Sequence, residues 1–268
     1  MLEHVAPVRP VAPYQGGKRN LAKRLVERIN AIDHTAYAEP FVGMGGVFFR
    51  RSTRPPAEFI NDWSMDVANF FRILQRHYLA FMDMIRWQLT TRAGFDRLML
   101  VDPSTLTDLE RAARFLYLQK TAFGGKVVGR NFGVTPGGPA RFDVIKLAPL
   151  LEDVHERLSS VVIERLPWSE FVKRYDRPGT LFYLDPPYLG SERDYGDDTG
   201  APLFDRSEFE HMAQLLGEID GRFMLSLNDH PEVRAIFADF DIEAVQTTYQ
   251  LGGMDKAKKV GEVIISRL

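Results

Sequence analysis

The run Leu181-Phe182-Tyr183-Leu184, stopped at once by Asp185-Pro186-Pro187-Tyr188, constrains the fold of this chain more than any other segment. A short unbroken apolar run reads as a strand buried on both faces, the central strand of a sheet covered by helices on each side. Two consecutive prolines then end the ladder, because neither has an N–H to donate. Pro187 restricts Pro186, and Pro186 restricts Asp185, to extended or polyproline backbone, so the strand's carboxyl end is a stiff corner. The Asp185 carboxylate and the Pro186 carbonyl stand there as acceptors with no local donor competing for them. A plainer reading, a Pro-Pro turn with an aspartate that caps the next element, also fits the tetrapeptide taken alone.

The corner suits one kind of chemistry. An exocyclic amino group with two hydrogens matches two fixed acceptors, and Tyr188 offers a flat face on which an extruded base can stack. The nitrogen lone pair of an aromatic amine is delocalised into its ring. Acceptors that hold both hydrogens favour a pyramidal nitrogen, whose lone pair can attack a sulfonium methyl while Asp185 or water collects the proton. Positioning and electrostatics carry most of such a rate.

Upstream, Tyr37-Ala38-Glu39-Pro40-Phe41-Val42-Gly43-Met44-Gly45-Gly46-Val47-Phe48-Phe49 reads as a strand, a glycine-rich turn and the start of a helix. Such turns let backbone approach a nucleoside closely. The third glycine of a dinucleotide fingerprint is replaced by Phe48, which argues against a pyrophosphate cradle. Glu58-Phe59-Ile60-Asn61-Asp62 follows as a strand that closes on an acid about 20 positions beyond Gly43, an offset at which an acid accepts ribose hydroxyls. Asp62 reads equally as the cap of the next helix. Near the N-terminus, Pro13-Tyr14-Gln15-Gly16-Gly17-Lys18 precedes an amphipathic segment containing Leu21, Leu25, Val26 and Ile29. A lysine beside a helix N-terminus opposes the macrodipole and points either to an external anion or to a solvated side chain. Tyr14 is open between a core residue and a ligand contact.

In this order, Tyr14-Gln15-Gly16-Gly17-Lys18, Glu39-Pro40-Phe41-Val42-Gly43-Met44-Gly45, Asn61-Asp62 and Asp185-Pro186-Pro187-Tyr188 resemble the Dam-type DNA adenine N6-methyltransferases over nearly the whole chain. The resemblance implies S-adenosylmethionine as cofactor, bound by Tyr14, Lys18, Glu39, Phe41, Gly43, Gly45 and Asp62 together with Asp185. It implies double-stranded DNA as partner and Asp185, Pro186, Pro187 and Tyr188 as the catalytic group acting on a flipped adenine. Cytosine N4 enzymes more often carry serine in the first place of the tetrapeptide. The family fold is a Rossmann-like α/β sheet of seven mostly parallel strands, helices on both faces, one reversed strand near the end and an inserted helical target-recognition lobe. Residues 1–75 and 155–268 are expected to form the catalytic domain, and 76–154 the lobe.

Composition sets bounds around this. With 268 residues, 45% of them hydrophobic, the chain can bury the core of one α/β domain with an insert. It has no cysteine, so disulfides and thiolate metal sites are excluded, and its six histidines show no ligand spacing, so no metal is expected. No signal peptide or long apolar span is present, which predicts an intracellular, cytoplasmic protein without a membrane partner, as a monomer or weak dimer. A net charge of −2 is unusual for a protein that holds DNA. Between residues 111 and 146, however, Arg111, Arg114, Lys120, Lys126, Arg130, Arg141 and Lys146 stand close together among glycine-rich loops. Lys120, Phe123, Lys126, Arg130 and Asn131 are therefore candidate DNA contacts, against the alternative of a solvated connecting loop. The segment Phe123-Gly124-Gly125-Lys126-Val127-Val128 lacks the tyrosine-asparagine pair and the arginine with which the best-known members read GATC, so a GATC target is not implied.

Further expectations concern the scaffold. Ser64 opens a long helix whose core positions run from Val67 to Ile85, and Thr107-Asp108-Leu109-Glu110 reads as a capping box. Later strands lie around 161–163, 181–184, 223–227, 242–245 and 263–265, alternating with helices as a parallel sheet requires. Trp168-Ser169-Glu170-Phe171 is placed at the cofactor's adenine. Residues 190–202 read as a mobile lid or a plain loop, and 252–259 as a basic turn facing DNA backbone or solvent. Two rival functions stay open: transfer to another amine (RNA adenine, cytosine N4 or a protein amide), and a non-catalytic DNA-binding module.

Overall fold

The computed structural model describes the chain except residues 1, 19, 136, 191–203 and 251–256, and except the side chains of 247–250 and 257–260. A short strand β1 (Glu3–His4) precedes α1 (Ala22–Asn30) and β2 (Ala36–Glu39). Then come β3 (Thr53–Arg54), β4 (Ala57–Asn61), α2 (Met65–Arg76), α3 (Tyr78–Ile85), α4 (Arg92–Met99), α5 (Asp108–Thr121) and α6 (Val144–Leu158). The chain continues through β5 (Val162–Glu164), α7 (Trp168–Tyr175), β6 (Thr180–Leu184), α8 (Arg206–Glu218), β7 (Arg222–Asn228), α9 (Pro231–Ile236), β8 (Asp241–Gln250) and β9 (Ala257–Arg267).

Among the described residues the main sheet has seven strands in the order β5-β4-β2-β6-β7-β9-β8. The first five are parallel, and β9 runs antiparallel to both of its neighbours, as the reversed strand of the expected fold requires. From β2 the chain winds outward to β4 and β5, then returns to lay β6 on β2's other side. That reversal of winding opens a crevice at the carboxyl ends of β2 and β6, the place where open α/β sheets bind ligands.

The central strand is buried on both faces as its apolar run predicts. Leu181 and Tyr183 enter one core with α1, α2 and α5, while Phe182 and Leu184 enter the other with α7, α8 and α9. The period-2 alternation of a strand accounts for this split. The first core runs on without interruption into α3, α4 and α5 through Phe81, Phe95 and Phe115, so the inserted helices share one apolar interior with the sheet. The expected lobe boundary at 154/155 falls inside α6, whose Arg157 is committed to β4.

Two local expectations need correction. The glycine turn leads into one 3-10 turn, Phe48–Arg50, in place of a longer helix. Phe48 and Phe49 are both buried and Arg51 turns inward, while Pro55 and Pro56 lie just ahead, so neither packing nor sequence leaves room for further turns. The helix opened by Ser64, whose Oγ caps the Val67 N–H, breaks at His77 into α2 and α3. The His77 backbone (φ −129°, ψ 31°) is non-helical and lets α3 turn its Phe81 and Ile85 toward α5 and α6. The capping box at Thr107 forms as expected.

Candidate active site

An open cleft of about 2440 Å³ lies over the carboxyl ends of β2, β4 and β6. Its floor comes from three strand ends and the segment before α1. Asp185, Pro186, Pro187 and Tyr188 follow β6; Glu39 closes β2 and Phe41 leads from it into the Gly43 turn; Asp62 follows β4; Tyr14 and Lys18 approach from the N-terminal side. Motifs more than 160 residues apart in sequence thus meet in one cavity.

Lys18 carries the central contact. Its side chain is 1% exposed, and its ammonium lies 2.5 Å from Asp185 Oδ1 and 4.4 Å from the centre of the Tyr188 ring. The anion that the sequence led one to seek outside the protein is therefore internal. Ser226 on β7 also donates to Asp185 Oδ1 (3.2 Å) and is linked in turn to the Tyr183 hydroxyl (2.9 Å). Both of these contacts fall on the same oxygen. The Asp185 side chain keeps 19% of its surface open, enough to be reached from the cleft. Burial pushes its carboxyl above the ordinary range, and the Lys18 ammonium and the Ser226 hydroxyl oppose that shift.

The glycine turn is held by Asp62 and Asn61. Asp62 accepts the Gly43 N–H on one oxygen (2.8 Å) and the Ser64 N–H on the other (2.9 Å), so it shapes the turn and the start of α2 together. Burial still lifts it from the ordinary 3.8 to about 6. Asn61 donates to the carbonyls of Pro40 and Leu166 and accepts the Leu166 N–H, tying together the loops that follow β2 and β5. Gly43 has φ +50° beneath the Tyr14 ring, where a Cβ would lie 3.2 Å from two ring carbons. Gly45 differs from the expectation of a cofactor contact: it does not line the cleft, and at φ +72° a Cβ there would overlap the Phe49 ring.

Glu39 is 2% exposed and accepts the Tyr37 hydroxyl at 2.6 Å. Burial raises its carboxyl from the ordinary 4.5 to about 8, with Tyr37 and Arg51 opposing the rise. Beneath it lies an ionic cluster that sequence reading missed. Glu58 receives Arg51 at 2.9 Å and both terminal nitrogens of Arg157 at 2.5 and 2.7 Å, all at nearly full burial. Arg51 also covers the Tyr37 ring at 3.6 Å. An acid within β4 and an arginine on the buried side of α6 were the available signals.

Phe41 stacks on Trp168 (centroids 6.4 Å, planes 30° apart) and meets Phe204 edge-on. Together with Leu166 and Ser169 they make an aromatic wall at the end of β5, where the sequence placed purine contacts. The residues present fit S-adenosylmethionine: buried acids that would accept an amine and ribose hydroxyls, and aromatic faces that would receive a purine.

Comparison with known proteins decides the family. The model for D12 class N6 adenine-specific DNA methyltransferases matches residues 14–251. The chain belongs to that family. This methyltransferase is 24% identical to the type II methyltransferase M1.LlaDCHI of Lactococcus lactis subsp. cremoris over 97% of the chain and 95% of that protein. It is also 24% identical to the type II methyltransferase M.CviBI of Paramecium bursaria Chlorella virus NC1A over 70% of the chain and 72% of that protein. As a member of the family it methylates adenine in DNA at N6.

The methyltransferase's candidate DNA contacts divide into two groups. Lys120 and Arg130 line the cleft but are already engaged: Lys120 donates to Val11 O (3.0 Å), and Arg130 to Gln119 Oε1 and Lys126 O (3.1 Å each). Burial holds both below their usual pKa range. Phe123, Lys126 and Asn131 are exposed on the same loop beside the cleft. The expected lid falls almost wholly outside the described residues, as does 252–256 of the expected basic turn; residues 257–259 belong to β9. Among the described residues no helix is long and apolar enough to cross a membrane.

Proposed function

We propose that this methyltransferase holds the N6 amine of a flipped adenine between Asp185 Oδ2 and the Pro186 carbonyl, with Tyr188 stacked on the base. The observation that carries this reading is the double engagement of Asp185 Oδ1 by Lys18 and Ser226, which fixes the orientation of the carboxylate at the edge of the cleft. Two acceptors on the N6 hydrogens localise a lone pair otherwise shared with the ring, and Asp185 then collects the proton that N6 gives up. Tyr14, Glu39, Phe41 and Asp62, with Trp168, are the residues to hold S-adenosylmethionine, which supplies an electrophilic sulfonium methyl when bound. Glu39 faces its amino group, Asp62 its ribose hydroxyls, and Phe41 and Trp168 its purine. Lys18 serves the cofactor side through its hold on Asp185.

The segment 76–154 acts as the target-recognition lobe, with Phe123, Lys126 and Asn131 reaching DNA from the exposed loop and Lys120 and Arg130 backing it from the cleft wall. A loop with glycines at 124 and 125 makes no bidentate base contact from those positions, which supports a target other than GATC.

The test is incubation of the purified protein with labelled S-adenosylmethionine and unmethylated genomic DNA, followed by modification-sensitive sequencing. The expected product is N6-methyladenine in one sequence context that is not GATC. Label on cytosine N4, or only on RNA, would overturn the assignment of the pocket to adenine in DNA.

A further inference from the structure

Gln119 lies in the last turn of α5, 0% exposed, with its amide bonded on every side. Its Nε2 donates to Pro13 O (2.8 Å) and to Gly125 O (2.7 Å), and its Oε1 accepts from Arg130 (3.1 Å). The orientation of the amide is fixed, since a flipped Gln119 would set its oxygen against two carbonyls and its NH₂ against a guanidinium. One buried side chain therefore joins three segments: the strip before α1 that carries Tyr14, the loop after α5, and an arginine of the cleft wall.

The join is tightened by backbone. Gln15 N–H donates to Gly125 O at 3.0 Å. Gly125 has φ +68°, and a Cβ there would sit 2.9 Å from the Pro13 carbonyl carbon and 3.0 Å from the Tyr14 nitrogen. The exposed loop is closed on itself by Phe123 N–H to Asn131 O and Gly133 N–H to Thr121 O, both 2.8 Å, so it moves with its base. At the other end, the Tyr14 ring lies against Gly43 in the cofactor half.

We infer that Gln119 is a positioning residue that couples cofactor occupancy to target recognition in this methyltransferase. A ligand that shifts Tyr14 over Gly43 moves Pro13, and the Gln119 amide passes that movement to Gly125 and Arg130. By linkage, DNA on the loop tightens the cofactor site by the same factor. The inference rests on the proposed placement of cofactor and DNA.

The experiment measures the affinity of S-adenosylhomocysteine for the full chain with and without a duplex carrying the mapped target, in wild type, Gln119→Met and Gly125→Ala. Gln119→Met keeps the volume and removes the three bonds; Gly125→Ala wedges the loop away from Pro13 by an independent route. Thermal melting confirms that each variant is folded, and either folded variant suffices for the test. In wild type the duplex is expected to tighten the analogue by about 10-fold, within the usual range of coupling between sites. In the variants that factor falls to about 2-fold or less, while affinity without DNA changes by less than about 3-fold. A purely structural role would weaken both affinities and leave their ratio intact. An unchanged ratio in a folded variant, or a wild-type ratio of one, overturns the coupling; failure of wild type to bind either analogue or duplex strikes instead at the placement of the sites.

Discussion

At the scale of single residues, the protonation of Glu39 makes the sharpest prediction. Its carboxyl titrates near 8 in the folded chain and near 4.5 when unfolded, so between those values the fold holds a proton that the unfolded chain has released. The contribution of Glu39 to stability is therefore greatest at low pH and falls as pH rises through this window. Asp62 adds the same sign between 3.8 and about 6. Urea unfolding from pH 5 to 8 should show wild type losing stability relative to Glu39→Gln as pH rises; parallel curves would contradict the assignment. A cationic amine at Glu39 reverses the balance by favouring the carboxylate. Calorimetry near pH 7 in buffers of different ionisation heat should then record proton release when S-adenosylhomocysteine binds, and its absence would place the amine elsewhere. The sequence made Glu39, Asp62 and Asp185 visible because chemistry required acids at strand ends. Ser226 and Gln119 were not legible, because a hydroxyl inside an apolar strand and an amide inside a helix show their purpose only when their partners across the fold are known.

At the scale of elements, the glycine turn and β4 carry the site. Gly45→Ala meets both a left-handed backbone and the Phe49 ring, so it should cost about 2–4 kcal/mol in denaturant unfolding. A cost near zero would mean that the turn rearranges freely. Arg157→Ala leaves Glu58 buried with only Arg51, and should cost about 3–5 kcal/mol by the same measurement. The strands were readable because burial on both faces leaves an unbroken apolar run in β6 and alternation sorts each side chain to its core. The break at His77 was not, since the spacing from Val67 to Ile85 stays helical across it and only the packing of α3 on α5 bends the chain. The single turn after Gly46 was hidden for a similar reason, as Phe48 and Phe49 look helical until both must be buried.

At the scale of the whole molecule, a net charge of −2 coexists with a cleft in which, among the described residues, lysines and arginines outnumber acids, eight to six. Acids such as Glu243, which pairs with Arg24 and Arg28, lie away from it. DNA affinity should therefore fall steeply with salt despite the overall charge, and Lys126→Ala should reduce the slope of log K against log salt by about 1. An unchanged slope would remove Lys126 from the phosphate contacts. The architecture was legible as a whole, because the order of motifs dictates the winding and the winding brings Lys18 to Asp185; the extent to which the inserted helices share the sheet's core was not.

The proposed transfer turns on the Asp185 carboxylate. The most direct test is single-turnover methyl transfer by wild type, Asp185→Asn and Asp185→Ala on an unmethylated duplex, with DNA affinity and melting measured alongside. Both variants are expected to fold, retain most DNA affinity and lose at least about 10³-fold in the transfer step. Near-normal transfer by either variant would contradict that role of Asp185.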